Sequence, residues 1–364
     1  MKLVIDCFKL VKGAGKSIGI YNLACHLVQE LAKGNHRTEN EIIVFGNAYN
    51  RPDFGVKGIH FIEIKKNPLD KKACVLWELF QVSVLAKKLG VDKVLFPRGY
   101  TSLLHLTKEY VIIHDMIPFY YRKHFPKYFN SLENFYICWR LKASARKADK
   151  VITISEASKQ DIMKYAQIED KRITVIYNGY NPIVEGDYKQ TDKRYLAAMT
   201  SELPHKNAAY ILESYTAYHG AVENPLPLMI IGLKDLSKYQ LPQNIEADIT
   251  CISYLEKDED LYRLIGGAAV FLFLSLIEGF GFPPIEAMQL GTPVICSNTS
   301  SLPEVVGEGA VCVSVTDCNQ VSKAIIDIVS HKIDVAALCR KGKANAERFN
   351  WEKTGKKYRE VLFE

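Results

Sequence analysis

Short apolar runs alternate along the chain with longer stretches whose apolar residues recur every three or four positions. The short runs are typical of buried strands, and the longer periodic stretches predict helices that cover them. In the first half, the predicted strands are Leu3–Cys7, Glu41–Phe45, Ile59–Ile64, Lys93–Phe96, Tyr110–His114, Lys150–Ile154 and Arg172–Tyr177. Strands that alternate with helices favour a parallel sheet with helices on both faces.

A second alternating set follows a polar interruption at Asn178–Pro182 that continues to Arg194 and predicts a linker. Its predicted strands are Tyr195–Met199, Leu228–Ile231, Asp248–Ser253, Ala269–Leu274, Thr292–Cys296 and Ala310–Val313. The tail has helical spacing and predicts a terminal helix. We therefore expect an α/β protein with domains at 1–180 and 181–345 and a last helix within 346–364. Two such domains facing each other would form a cleft at the carboxyl ends of their strands, where ligands bind.

Length and composition agree with two folded domains. The chain has 364 residues, of which 48% are hydrophobic and 24% charged, near the averages for globular proteins. Met1 leads directly into Leu3-Val4-Ile5 without a basic lead-in or a long apolar region, so we expect no secretory leader and a cytoplasmic location. Nine scattered cysteines, with no Cys-x-x-Cys pair, are expected to be reduced packing residues.

The stretch from Ser275 to Met288 carries the most specific chemistry. Gly279 and Gly281 permit a tight turn after an apolar strand, and Pro283 and Pro284 suit the first turn of a helix. A strand, a glycine turn and a helix N-terminus together predict a site for anionic oxygen, because the positive end of the helix dipole faces the ligand.

Two carboxylates, Glu278 and Glu286, bracket this turn with seven residues between them. Carboxylates accept hydrogen bonds, and sugars present paired hydroxyl donors. Glu278 is therefore a candidate to hold the transferred sugar, and Glu286 to hold a ribose diol. The alternative is that Glu286 only complements the helix dipole and Glu278 is a solvated loop acid. The joint occurrence of glycines, prolines and spacing favours the binding role.

The run from Glu278 to Met288 resembles the Glu-x7-Glu motif of glycosyltransferase family 4. Four other segments resemble family signatures in the same order along the chain, namely Val151–Glu156, Ile176–Gly179, Ser300–Val305 and Phe349–Glu352. The resemblance implies a GT-B fold, with two Rossmann-like domains facing across a cleft and a C-terminal helix that crosses back to the first domain.

The same resemblance implies a retaining transfer of a hexose-type sugar from a nucleotide diphosphate-sugar, with GDP-mannose, a UDP-sugar and dTDP-rhamnose all open. The implied acceptor is a hydroxyl of a glycan or of a polyprenyl-linked saccharide, in bacterial surface polysaccharide synthesis. No Asp-x-Asp motif stands at a convincing strand end, so we expect no metal and no cofactor, with retention by same-face attack.

The resemblance also assigns individual residues. Lys206, which opposes the dipole of the following helix unless an anion offsets it, is implied to bind the diphosphate. His114, beside Asp115, is implied to lie near the sugar and the acceptor. The catalytic candidates are thus Glu278, His114 and Lys206. The remaining implied donor contacts are Gly15, Gly19, Thr200, Tyr254, Leu255, Gly279, Phe280, Gly281, Phe282 and Glu286.

Thr200 differs from the residue common in the family, and the loop with Gly15 and Gly19 only partly matches a P-loop. Many family members have an arginine where this chain has Thr200, which puts a second cationic contact with the donor in question. The loop with Gly15 and Gly19 contains Gly-Lys-Ser, but a P-loop also requires a glycine where Leu10 stands.

The segment 119–150 is basic and aromatic. It holds eight Lys or Arg and two acids, a net charge of +6 that equals that of the whole chain. One interpretation is a contact with an anionic membrane surface, peripheral at the inner face. The other is a solvated helix face with its aromatic side chains in the core.

Three other functions compete with this one. A nucleotide-sugar 2-epimerase of related fold is the first alternative, and the interior of the Glu278–Glu286 motif favours transfer over it. A nucleic-acid-binding protein is disfavoured, because the charge is local and no recognition motif accompanies it. A catalytically dead sugar-nucleotide sensor is disfavoured by the two intact glutamates.

Overall fold

The structure is a computed structural model that describes residues 1–13, 18–35, 40–183, 188 and 195–364. It divides into two compact units. Unit 1 comprises Met1–Gly179 and Asn350–Glu364, and unit 2 comprises Tyr180–Phe349.

In the described part of unit 1, the strands form a seven-stranded sheet in the order β3-β2-β1-β4-β5-β6-β7, and every pairing is parallel. The strands are β1 (Lys2–Asp6), β2 (Glu41–Gly46), β3 (His60–Glu63), β4 (Lys93–Phe96), β5 (Lys108–Ile112), β6 (Lys150–Thr153) and β7 (Ile173–Val175). All seven predicted strands are confirmed. The central strand β4 is buried along its whole length, and its last three residues are apolar. Its first residue, Lys93, is also buried and donates a hydrogen bond to the Leu362 carbonyl at 2.9 Å.

Helices cover this sheet. They are α1 (Ile18–Asn35), α2 (Arg51–Phe54), α3 (Lys71–Leu76), α4 (Val82–Lys88), α5 (Ile117–His124), α6 (Ser131–Lys147) and α7 (Glu156–Ala166). A π-helical turn at 77–81 joins α3 to α4. Helix α6 begins at a conventional cap, since the Asn130 side chain accepts hydrogen bonds from the N–H groups of Leu132 and Glu133.

Unit 2 repeats the pattern. Its described strands form a six-stranded parallel sheet in the order β10-β9-β8-β11-β12-β13. The strands are β8 (Leu196–Met199), β9 (Leu228–Ile231), β10 (Ile249–Ile252), β11 (Val270–Phe273), β12 (Val294–Ser297) and β13 (Val311–Val313). The helices are α8 (Ala208–Ala221), α9 (Gln243–Glu246), α10 (Asp258–Gly267), α11 (Phe282–Gln289), α12 (Leu302–Val306), α13 (Cys318–Val329) and α14 (Val335–Ala346). The six strands predicted for this half are also confirmed.

Both sheets have a topological switch point, where the strand order reverses. It lies between β1 and β4 in unit 1 and between β8 and β11 in unit 2. Open α/β sheets bind ligands beside the carboxyl ends of the strands at such a point. We therefore expect a ligand site in the loops that follow β8 and β11.

The last helix, α15 (Trp351–Phe363), packs on α1 within unit 1. The Trp351 ring stacks on His26 with centroids 4.7 Å apart, and Arg359 donates a hydrogen bond to the Glu30 carbonyl. A Cβ atom at Gly179 would lie 2.7 Å from the backbone of Trp351, so only glycine permits this approach. Among the described helices, none has both the length and the apolarity to cross a membrane.

Candidate active site

Lys206 and Glu278 meet at the switch point of unit 2. Lys206 lies in the turn after β8 and Glu278 in the loop after β11, and the Lys206 ammonium is 2.5 Å from a Glu278 carboxylate oxygen. The two side chains are only 24% and 12% exposed, and the ammonium also lies 5.5 Å from the centroid of the Phe273 ring. A lysine just before a helix is unfavourable for the helix dipole unless an anion lies nearby, and in this structure that anion is the Glu278 carboxylate.

The turn that carries Lys206 is fastened to its surroundings. Thr200 donates its hydroxyl proton to the Lys206 carbonyl at 2.7 Å. The Leu276 N–H donates to the His205 carbonyl at 2.8 Å, and the Asn207 side chain reaches the Leu274 carbonyl at 3.1 Å. Thr200 therefore positions the lysine turn and does not replace the missing arginine with a second charge.

The predicted glycine turn is present, and it leads directly into α11. Gly281 precedes the helix with φ of 126°, a conformation that other residues rarely adopt, and an added Cβ would lie 2.7 Å from the Leu302 side chain. Pro283 and Pro284 fall within the first turn of α11. Because proline has no N–H, this helix end offers fewer donors than other helix ends. The attraction for an anion then depends more on the dipole and on Lys206.

A serine pair after β12 holds the turn from the other side. The Ser300 hydroxyl donates to the Glu278 carbonyl at 2.7 Å, and the Ser301 hydroxyl donates to the Phe280 carbonyl at 2.7 Å. Ser300 has a left-handed backbone with φ of 55°. These side chains fix the loop that presents Glu278, a role that the sequence pattern alone did not assign to them.

Glu286 lies on α11, and its carboxyl group has a raised pKa. Burial raises the pKa of Glu286 to about 7, the charge of Asp258 adds to the increase, and a hydrogen bond from Tyr180 opposes it. The Tyr180 hydroxyl is also 3.1 Å from the Tyr262 hydroxyl. Neither tyrosine was predicted, because no local pattern links them to a glutamate so distant in sequence.

His114 is in unit 1, after β5. Its Nε2 atom lies 2.8 Å from the Pro97 carbonyl oxygen and therefore donates to it, which leaves Nδ1 as an acceptor. Burial lowers the pKa of His114, so the imidazole is neutral at pH 7. Asp115 accepts a hydrogen bond from the Ile117 N–H at the start of α5.

The other predicted contacts are less informative. Gly15 lies outside the described residues, and Gly19 is in the first turn of α1. Tyr254 follows β10 and is 73% exposed, with Leu255 half-buried beside it. Within the described residues, no three His, Cys, Asp or Glu side chains are grouped to hold a metal ion.

Two family models match consecutive parts of the chain. The model described as "Glycosyltransferase Family 4" matches residues 21–183, and that described as "Glycosyl transferases group 1" matches residues 184–349. The chain belongs to glycosyltransferase family 4. The family models thus confirm the resemblance carried by the Glu278–Glu286 motif.

Individual relatives are distant. The O-antigen chain mannosyltransferase RfbU of Salmonella typhimurium is 29% identical over 246 residues, which cover 66% of this chain and 66% of that protein. The O-antigen chain mannosyltransferase B of Escherichia coli is 28% identical, over 58% of this chain and 60% of that protein. The matched stretch thus spans about two thirds or less of these curated relatives.

Two solved structures share the fold over almost the whole chain. The lipopolysaccharide outer core galactosyltransferase WaaB superposes with a TM-score of 0.69 at 16% identity, covering 100% of this chain and 99% of that one. HepE from Anabaena, solved with UDP and glucose, gives a TM-score of 0.68 at 14% identity, with 100% and 99% covered. At these identities the likeness concerns the fold, and the predicted two-domain GT-B fold is confirmed.

Proposed function

We propose that the chain is a retaining, metal-independent glycosyltransferase that moves a hexose-type sugar from a nucleotide diphosphate-sugar to a saccharide hydroxyl. The observation that carries the proposal is the Lys206–Glu278 pair at the switch point of unit 2. One partner supplies positive charge for a diphosphate, the other supplies acceptor oxygens for sugar hydroxyls, and Glu286 on α11 supplies acceptors for a ribose.

In the proposed step, the acceptor hydroxyl oxygen forms a bond to the anomeric carbon while the bond from that carbon to the β-phosphate oxygen breaks. The hydroxyl proton passes to the departing phosphate on the same face of the sugar, so no protein nucleophile is needed. Negative charge grows on the leaving diphosphate, and the Lys206 ammonium and the α11 dipole stabilise it. These groups take the place of a metal ion.

The comparisons favour one donor over the others. Two of the relatives are named mannosyltransferases, which supports GDP-mannose. HepE was solved with UDP, so a UDP-sugar stays in the set to be tested, as does dTDP-rhamnose. The same relatives act on O-antigen chains, which supports a glycan or polyprenyl-linked saccharide acceptor in surface polysaccharide synthesis at the cytoplasmic side of the membrane, without any cofactor.

Donor hydrolysis and transfer by the purified protein test this proposal. Each donor is incubated with EDTA, with and without a polyprenyl-linked saccharide, and products are resolved by mass spectrometry and NMR. We expect transfer with retained anomeric configuration and unchanged rates in EDTA. Conversion of the donor to its 2-epimer without acceptor would establish the epimerase instead. No turnover and no binding of any donor would overturn the proposal.

We also propose that unit 1 contacts an anionic membrane through one face of α6. Leu132, Phe135, Tyr136 and Trp139 recur at helical spacing and are 80%, 56%, 41% and 46% exposed. This is the pattern of a helix that lies in a membrane interface. The alternative, in which the aromatic side chains of the segment are core residues, holds for Tyr121, which is buried.

The charge of this segment is less available than its sequence suggests. Arg140 is buried and pairs with Glu78, and the Lys147 ammonium lies 3.6 Å from the buried Glu109. Arg122, Lys123 and Lys127 are exposed at the end of the segment where α6 begins. The proposed contact therefore depends on the apolar face as much as on charge.

Co-sedimentation with vesicles tests the membrane contact. We expect binding to vesicles that contain phosphatidylglycerol at low salt, and loss of binding in a Phe135→Ser, Trp139→Ser double variant. Tyr49→Ser is the matched control, because Tyr49 is a 59% exposed aromatic residue elsewhere in unit 1. Equal binding by the double variant and the control would remove α6 from the contact.

A further inference from the structure

The segment at the start of unit 2 is fastened to the helix that carries Glu286. The Tyr180 ring lies 6.0 Å, centroid to centroid, from the Phe282 ring at the start of α11, and its hydroxyl is near enough to the Glu286 carboxyl group to lower the pKa of that group by a hydrogen bond. The Ile183 N–H donates to the Gln289 side chain at 2.8 Å. Glu286 and Gln289 are three residues apart on α11, so both contacts are on one face of the helix. The segment thus follows this face for about one helical turn.

The hydrogen-bond directions follow from chemistry. An ionised carboxylate can only accept, so the Tyr180 hydroxyl donates its single proton to Glu286. The Tyr180 oxygen then accepts from the Tyr262 hydroxyl, which lies 3.1 Å away on α10. The Tyr262 ring is itself held edge-on by Tyr188, with centroids 5.6 Å apart. The hydroxyl groups of Tyr262 and Tyr180 therefore form a chain of hydrogen bonds that leads to the Glu286 carboxylate.

We propose that Tyr180, supported by Tyr262, is a positioning residue that fixes the Glu286 carboxylate for the ribose diol of the donor. This inference rests on the proposed function, because it assumes that Glu286 receives a ribose. A carboxylate has about four lone-pair positions. One is occupied by Tyr180, which fixes the plane of the group and leaves the others for two ribose hydroxyls.

The surroundings of Glu286 should make nucleotide affinity depend on pH. The groups that face it are Tyr180 from the connecting segment and Tyr262 and Asp258 from α10. The hydrogen bond from Tyr180 lowers the pKa of Glu286, whereas burial and Asp258 raise it. Only the ionised carboxylate accepts from both ribose hydroxyls, so nucleotide affinity should fall as the pH drops below about 7. Removing the Tyr180 hydroxyl should move that midpoint to higher pH.

Calorimetric titration of the full chain with nucleoside diphosphates tests this role. UDP and GDP are compared with their 2′-deoxy counterparts in the wild type, Tyr180→Phe and Tyr262→Phe, across pH 5.5–8.5. Tyr210→Phe is the matched control, because its hydroxyl donates to the Ser314 carbonyl at 3.0 Å, away from Glu286. Thermal unfolding confirms that each variant is folded.

We expect the wild type and Tyr210→Phe to lose about tenfold in affinity when the 2′-hydroxyl is removed. In Tyr180→Phe the loss should shrink to about threefold, with a raised pH midpoint, and Tyr262→Phe should show a smaller change of the same sign. An unchanged hydroxyl preference and midpoint in Tyr180→Phe, or tighter binding, would overturn the inference while leaving the proposed function intact. Failure of the wild type to bind either nucleotide would overturn both.

Discussion

The Lys206 ammonium and the Glu278 carboxylate, which are 72 residues apart in sequence, form a 2.5 Å ion pair where β8 and β11 diverge. The charge proposed for the diphosphate and the charge proposed for the sugar are thus paired with each other. In the proposed function, binding of a diphosphate draws the lysine partly away from the glutamate, and this frees carboxylate oxygens for sugar hydroxyls. On this proposal, the pair links recognition of the phosphate to recognition of the sugar.

Replacement of the lysine should abolish most transfer. We expect Lys206→Ala to lower kcat by roughly 100-fold or more, because a preorganised positive group no longer faces the charge on the leaving diphosphate. Initial rates at saturating donor measure this. Lys323→Ala is the control, since Lys323 forms a similarly short but exposed pair with Asp327 at 2.6 Å. Equal rates for the two variants would contradict the assignment of Lys206.

Replacement of the glutamate should separate binding from transfer. In Glu278→Gln the lysine loses its anionic partner, so we expect the affinity for the bare nucleoside diphosphate to rise roughly threefold. Transfer should nevertheless fall, because the amide accepts sugar hydroxyls less well than a carboxylate does. Titration with UDP and GDP, set beside kcat, measures both effects. Parallel losses of affinity and rate would show that the pair does not restrain the lysine.

The half-buried Glu286 of α11 should make stability depend on pH in a defined direction. The pKa of Glu286 is about 7 in the folded protein, whereas its ordinary value in an unfolded chain is 4.5. Between pH 4.5 and 7 the folded state therefore binds more protons than the unfolded state does. Its favourable contribution is complete below pH 4.5 and is lost as the pH rises through 7. We expect Glu286→Gln to be as stable as wild type near pH 4.5 and more stable by roughly 1–3 kcal/mol at pH 8.

Urea unfolding across this pH range measures the difference, and donor binding by Glu286→Gln should be weakened at pH 8. A stability difference that does not change between pH 4.5 and 8 would mean that Glu286 titrates normally.

Gly281 should tolerate no side chain. We expect Gly281→Ala to cost roughly 1–3 kcal/mol, because its φ of 126° is strained for alanine and the new Cβ meets Leu302. Gly220→Ala is the control, since Gly220 lies in α8 with open space around it, and we expect a neutral or slightly stabilising effect. Chemical denaturation of both variants compares them, and similar stabilities would show that the turn can relax.

The sequence predicted the strands well because a fully buried parallel strand leaves an unbroken apolar run. Strand β11, buried at all four positions, is recognisable from its residues alone. The start of α11 could be predicted from Pro283 and Pro284, which suit the first turn of a helix. The position of Lys206 before a helix likewise predicted a nearby anion from neighbouring residues alone. Such signals identify the elements of the site, although not their geometry.

What the sequence could not predict depends on side chains that meet across long separations. Nothing near Tyr180 or Tyr262 indicates a partner on α11, and the serine hydroxyls after β12 gave no sign that they would support the Glu278 loop. The exposure of the charges in the basic segment could not be predicted for a related reason. Composition counts Arg140 as surface charge, whereas the folded chain places it 1% exposed against Glu78.

The N–H of Tyr180 donates to the carbonyl of Phe349 at 3.1 Å, so the first and last residues of unit 2 are neighbours. Everything between them is one uninterrupted stretch that contains Lys206, Glu278 and Glu286. Genetic recombination at two adjacent junctions therefore suffices to exchange this whole module between related chains. If unit 2 binds the sugar nucleotide as proposed, such an exchange would change the donor and leave the sequence of unit 1 as it is.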